Sequence, residues 1–231
     1  MTWQELIGEL NEIDWHCETF MASQAPSVEQ LLRQASSGFT SSIRPRIEEI
    51  LSDAQLFAEL RPYTEYPRTL MDKFTLYRDP KDSFRLRLHR FWPGCIAGSA
   101  IEKVHSHKWH MSTVLVAGSY VERRFTVASG DDPRRVVLAE SSRETRTAGQ
   151  SSSLPIGIPH QVHNPSFDEP CLTLFVRGPS LIPAARIYDE DTGEFYDTYS
   201  PDRQLRHALA VLRTGDARFH PMPEIDSRTS K

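Results

Sequence analysis

The stretch Gly149-Gln-Ser-Ser-Ser-Leu-Pro155-Ile-Gly157-Ile-Pro-His160-Gln-Val-His163-Asn164 decides how the chain reads, together with the earlier Val104-His105-Ser-His107-Lys-Trp109-His110-Met111. In a strand, residues i and i+2 point to the same face. His105 and His107 therefore aim at one point. His160, just past a Pro-x-Gly turn, completes a set of three imidazoles. A mononuclear metal site inside a β-barrel is the arrangement this predicts, with His105, His107 and His160 as the ligands.

Outward from these stretches the hydrophobic period is two. Phe84, Leu86 and Leu88 alternate with Arg85, Arg87 and His89, a strand with one apolar face that ends at Trp92-Pro-Gly94. Residues 114–118 and 120–125 predict two strands around Gly118, with a turn at 130–133, a strand from Val136 and another over 171–177. Residues 186–196 predict a hairpin with Asp-Glu-Asp-Thr-Gly at its turn. Short strands separated by turn signals imply a closed sandwich or jelly roll.

The N-terminal part has a helical period. Thr2 and Glu5 fit a capping box opening a helix over 2–22, with Trp3, Leu6, Leu10, Ile13, Cys17 and Phe20 on one stripe. Pro26 breaks that pattern, a short helix follows over 28–35, and Ser-Ser-Gly38 ends it. A third helix runs over 45–60, with Pro45 in its first turn and Ile47, Ile50, Leu51, Leu56 and Leu60 inward. No flexible linker follows, so the helices are expected to pack on the barrel. The organisation is then a helical segment at 1–70, a barrel at 71–200, and an amphipathic helix and tail at 201–231. The class is mainly β.

Bulk properties narrow the function classes. The 231 residues suffice for one substantial core, and a net charge of −4 favours neither nucleic acid nor an anionic membrane. No stretch approaches the roughly 20 apolar residues of a membrane helix. Three cysteines, far apart, make no disulfide framework. With no secretory signal evident, a cytoplasmic protein is expected. The helices would suit a homodimer.

The motif Gly149, five residues, Pro155-x-Gly157, two residues, His160, three residues, Asn164 resembles the second motif of the cupin superfamily at every spacing. His105, His107 and Gly118 match the first motif, but Met111 stands where that motif has a glutamate. The resemblance implies a cupin jelly-roll barrel. Within the superfamily the chain resembles the cysteine dioxygenase branch, whose sites use three histidines and no glutamate. Helices precede the barrel, Trp92-Pro-Gly94 precedes the His-x-His, His110 follows it, and Gly178-Pro179 and the hairpin come later. That branch's Ser-His-Tyr relay would fall at Thr173, Phe175 and Arg177, which leaves cysteine itself open as the substrate.

Three neutral imidazoles leave open positions on an octahedral ion, which suits Fe(II), a chelating substrate and O2. Imidazole donors also suit Zn, Ni, Mn or Cu. Without a carboxylate ligand the ion is one charge more positive and favours an anionic substrate. The reading is a mononuclear non-haem iron oxygenase acting on a small thiol or amino-acid-like molecule. The alternatives are a non-oxidative metal-dependent isomerase or lyase, and a non-enzymatic ligand-binding module. Candidate substrate contacts are Met111, as an apolar plug in the glutamate slot, His110, if a bulge turns it inward, and Arg87 and Arg177, as carboxylate clamps. Tyr77 and Arg78 join them because their segment resembles the one that supplies a substrate-carboxylate arginine in the related enzymes. His89 and the remaining histidines have no motif context.

Overall fold

A computed structural model describes residues 1–98, 100–129, 132, 135–199, 206, 209, 210 and 213. The turn expected at 130–133 and the helix expected over 201–213 lie outside the described residues, apart from Asp132, Arg206, Leu209, Ala210 and Arg213. Among the described residues no helix is long and apolar enough to cross a membrane.

Five helices open the chain: α1 (Trp3–Asn11), α2 (Phe20–Ser23), α3 (Ala25–Ser37), α4 (Phe39–Ser52) and α5 (Ala54–Leu60). The Thr2–Glu5 capping box forms, with Thr2 N donating to Glu5 Oε2 at 2.7 Å and Glu5 N to Thr2 Oγ1 at 3.3 Å. The single helix expected over 2–22 is two. The Asp14 carboxylate accepts from His16 N at 3.0 Å, a local side-chain bond that competes with helix continuation. Pro26 does not break a helix; it sits in the first turn of α3, which runs on to Ser37. Pro45 is interior to α4 and does not open it. The helix expected over 45–60 divides at Asp53, whose carboxylate caps Gln55 N at 2.8 Å and Leu56 N at 3.0 Å. Leu51, expected inward, is 75% exposed. The inward stripe of α4 is Ile43, Arg46, Ile47 and Ile50, and Leu51 falls at its edge.

Ten strands follow: β1 (Met71–Arg78), β2 (Arg85–Phe91), β3 (Met111–Ala117), β4 (Ser119–Ser129), β5 (Val136–Thr147), β6 (Ser151–Leu154), β7 (His160–His163), β8 (Cys171–Arg177), β9 (Ala184–Tyr188) and β10 (Phe195–Tyr199). A short helix, α6 (Gly94–Ala97), follows β2. The strands pair antiparallel in a five-stranded sheet β1-β2-β8-β3-β6, a three-stranded sheet β5-β4-β7, and the hairpin β9-β10. Gly118 joins β3 to β4 at φ +77, where a Cβ would stand 2.9 Å from the Pro170 carbonyl. Only glycine fits both the backbone conformation and the space.

The five-stranded sheet is buried on both faces. Its apolar face, with Leu86, Leu88, Val114, Leu174 and Val176, packs under Leu6, Leu10, Val28, Leu32 and Ile43 of the helices. Polar bonds fasten the layer: Ser151 and Ser153 hydroxyls each donate to Glu29 at 2.7 Å, and Arg46 Nε donates to the Leu76 carbonyl at 2.9 Å. The opposite face carries Lys73, Arg87, His89, Thr113 and Thr173 into a cavity lined also by the three-stranded sheet. The chain thus turns the polar side of its alternating strands inward and covers the apolar side with helices. If helices and barrel share one core, Leu32→Ala should cost about 2–5 kcal/mol and leave one cooperative transition in chemical denaturation. Separate helical and β-sheet transitions would contradict this.

Candidate metal centre

The three histidines meet because of strand register. His105 N donates to the His160 carbonyl at 2.9 Å, and His160 N donates to the His105 carbonyl at 2.8 Å. Residues exchanging both bonds sit directly opposite in an antiparallel pair, side chains on one face. His105 holds this place in an isolated bridge that also reaches Ile187 of β9, so the His-x-His segment is not a full strand. His107 follows on the same side, its carbonyl accepting from Gly157 N at 3.0 Å in the turn before β7.

One ring nitrogen from each of His105, His107 and His160 lies within 4.8 Å of the others. Nε2 of His107 and Nε2 of His160 are 3.0 Å apart. Two imidazole nitrogens bound at about 2.1 Å to one ion at a right angle would stand about 3 Å apart, so the spacing fits a shared metal. The outer nitrogens have partners of their own. Nδ1 of His105 faces the Lys103 carbonyl at 2.9 Å, and Nδ1 of His160 faces Glu122 Oε1 at 3.4 Å. Such partners select the tautomer with Nε2 free for a metal. Burial pushes His107 well below the usual imidazole range, with His105 and His160 adding to it; burial also lowers His105. Neutral rings are what metal binding requires. By donor type, spacing and tautomer, the cluster could hold a metal ion.

Two carboxylates stand beside the cluster. Glu122 is buried and bonded to Ser152 Oγ at 3.0 Å, with Arg124 at 3.1 Å and Arg146 at 3.3 Å. Burial would raise its carboxyl, but the His160 bond and the Arg124 charge outweigh that and hold it at about 2. Glu102 Oε1 lies 3.9 Å from Nε2 of His105. Both line the cavity, whose volume is about 80 Å³. Sequence reasoning missed these two and also His89. For Glu122 the signal in the sequence was its two-residue spacing from Tyr120, which puts both on one face of β4; the structure buries both.

The candidate substrate contacts divide. Met111 and Arg87 line the cavity with Lys73, His89, Trp109 and Phe175. His110 does not. It faces the helices and stacks on Phe20 at 4.5 Å, because no bulge reverses its parity relative to His107. Arg177 is buried on the same face of β8 as Thr173 and Phe175 but does not line the cavity. Its guanidinium lies 4.6 Å from the Trp109 ring centroid and donates to the Gly178 carbonyl. Trp109, on which it packs, lines the cavity in its place. Tyr77 stacks on Phe84 at 5.3 Å within the helix-facing core. Arg78 lies over Tyr63 at 4.8 Å, beside Asp82. Both stand at the hairpin end of β1, where the register shift after Thr75 pairs Tyr77 with Leu86 on the helix-facing side, while Arg78 pairs with Arg85 on the inward side, beyond the residues that line the cavity.

No protein-family model matches the chain, and no curated protein matches it. Solved structures similar to it include an RmlC-like cupin protein from Ralstonia eutropha JMP134, at 11% identity over 73% of this chain and 90% of that one, TM-score 0.39. A protein of unknown function with a cupin-like fold from the same organism is 16% identical over 68% of this chain and 84% of that one, TM-score 0.38. Fe(II) HppE is 11% identical over 47% of this chain and 50% of that one, TM-score 0.34.

Loss of the carboxylate behind His160 should loosen any bound metal. Glu122→Gln is expected to weaken metal affinity about tenfold, measured by competition with a chromogenic chelator. Unchanged affinity would remove Glu122 from that role.

Proposed function

We propose that this chain is a mononuclear non-haem iron oxygenase that oxidises a small thiol or amino-acid-like substrate with O2. The carrying observation is the donor set: among the described residues, the group that could share one ion is three imidazoles at the cavity, with Glu102 and Glu122 beside the cluster and outside it. The resemblance to three-histidine thiol dioxygenases supports the same reading. Bound Fe(II) would supply one-electron chemistry and open positions for substrate and O2 together.

The chain's own residues perform the remaining tasks. His105, His107 and His160 contribute no charge, so an anionic substrate atom is favoured at the centre. The Lys103 carbonyl and Glu122 orient the rings of His105 and His160. Trp109, stacked on His107 at 5.4 Å, joins Met111, Phe91 and Phe175 in an apolar lining that limits water. The cavity of about 80 Å³ restricts the reacting part of the substrate to a few heavy atoms.

Protein loaded anaerobically with Fe(II) and given cysteine, cysteamine or 3-mercaptopropionate should consume O2 above the rate of the free metal with the same thiol. His107→Ala should return uptake to that background. Equal uptake by wild type and variant would sink the oxygenase reading. Glu102 favours a second reading, a non-oxidative Lewis-acid isomerase or lyase, because a carboxylate at the cavity edge is suited to moving a substrate proton. Turnover under strict anaerobiosis would select it.

A further inference from the structure

A second cavity, of about 490 Å³ against about 80 Å³ beside the three histidines, lies where β1 begins and β2 ends. Leu70, Trp92, Ala97, Ile101, Pro165 and Phe167 give it an apolar lining. Backbone bonds tie its walls together: Gly94 N donates to the Ser166 carbonyl at 2.9 Å, and Cys95 N to the Phe167 carbonyl at 2.7 Å. Phe167 is 74% exposed and Ile101 54% exposed. Large apolar side chains left open together mark a surface that another molecule covers.

The position of this cavity says which molecule. Met71, Phe91, Glu102 and Val162 line both spaces, so one layer of side chains separates them. Met71 and Glu102 are only half-buried there, and the unbranched Met71 adapts readily to a neighbour. The Glu102 carboxylate is 3.9 Å from Nε2 of His105, so the outer cavity reaches the edge of the three-histidine set. His163 lines the outer cavity with a buried Nδ1 that has no hydrogen-bond partner among the described residues. Such an atom calls for a polar group on the occupant. Cavities that enclose small organic molecules measure about 300–1,000 Å³. The outer space is of that size and the inner one is far below it.

We propose that the outer cavity holds an aromatic body of the substrate, whose reacting head passes Met71 and Glu102 to the three histidines. This rests on the reading of the inner cavity as the site of reaction. Phe91, Trp92 and Phe167 offer ring faces and edges, with which an aromatic group pairs beyond what buried area alone gives. A hydroxyl on that body meets His163 Nδ1, since it can donate or accept. The substrate class is an aryl-bearing thiol, taken in preference to a thiol of three or four carbons.

Two titrations test this. In calorimetry on the metal-free full chain, 2-naphthol should bind one to one and about tenfold more tightly than phenol, which leaves much of the cavity unfilled. Ala97→Trp, which fills the cavity from α6, should weaken 2-naphthol about tenfold and leave metal stoichiometry unchanged. His163→Leu should weaken it about three- to tenfold. On Co(II)-loaded protein, followed by the thiolate-to-cobalt absorption, 3-phenylpropane-1-thiol should bind about tenfold more tightly than propane-1-thiol. Ala97→Trp should erase that difference. The wild-type comparisons stand even if a variant fails to fold. No 2-naphthol binding, equal binding of 2-naphthol and phenol, equal binding of the two thiols, or undiminished 2-naphthol binding by folded Ala97→Trp would overturn the proposal. So would a dimer in sedimentation that Ala97→Trp dissociates, because a second copy would then be the occupant. Binding of 2-naphthol as described by a chain that takes up no metal would retain the aromatic site and reject the metal centre.

Discussion

Two backbone hydrogen bonds between His105 and His160 set the register on which the site depends. They close an antiparallel bridge between the loop after α6 and β7, and so force both imidazoles onto one face. A slip of one residue would send either ring to the other side of the barrel wall. His107 follows by alternation, held by the bond from Gly157 N. Gly157 has φ +78, and the Pro-x-Gly turn that delivers His160 also supports the backbone of His107. The motif is therefore a mechanical unit, with the turn and bridge placing the rings and Glu122 and the Lys103 carbonyl aiming them.

The helical layer makes a polar barrel interior affordable. A sheet whose polar face lines a cavity gains little from burying that face, so its stabilisation has to come from the other side. Here Leu86, Leu88, Leu174 and Val176 are covered by Leu6, Leu10, Val28 and Leu32, all buried. Burying side chains of this kind contributes about 1.5–3 kcal/mol each.

Much of this was legible from residue order. The strand periods, the hairpin and the turns at Gly118 and Gly157 follow from local rules, and the three histidines were legible from the spacing of the two motifs, while the bridge that joins His105 to His160 is a tertiary contact. The errors are also physical. Parity places Arg85, Arg87 and His89 together but does not say whether their face meets water or a cavity; the helices decide that by covering the opposite face. Pro45 lies inside α4 beside the buried Arg46, whose bond to the Leu76 carbonyl is a tertiary contact that no local rule reveals. Glu122 lies 38 residues from His160 in sequence and meets it through the pairing of β4 with β7. His110 has the right neighbours in sequence but the wrong parity, and Phe20 fixes it outside.

The central claim is that His105, His107 and His160 hold one metal ion. Metal content per chain, measured by inductively coupled plasma mass spectrometry on protein reconstituted anaerobically with Fe(II) and desalted, tests it most directly. The account predicts close to one iron per wild-type chain and near none in folded His160→Ala. Wild-type protein without iron, or His160→Ala with full occupancy, would contradict it.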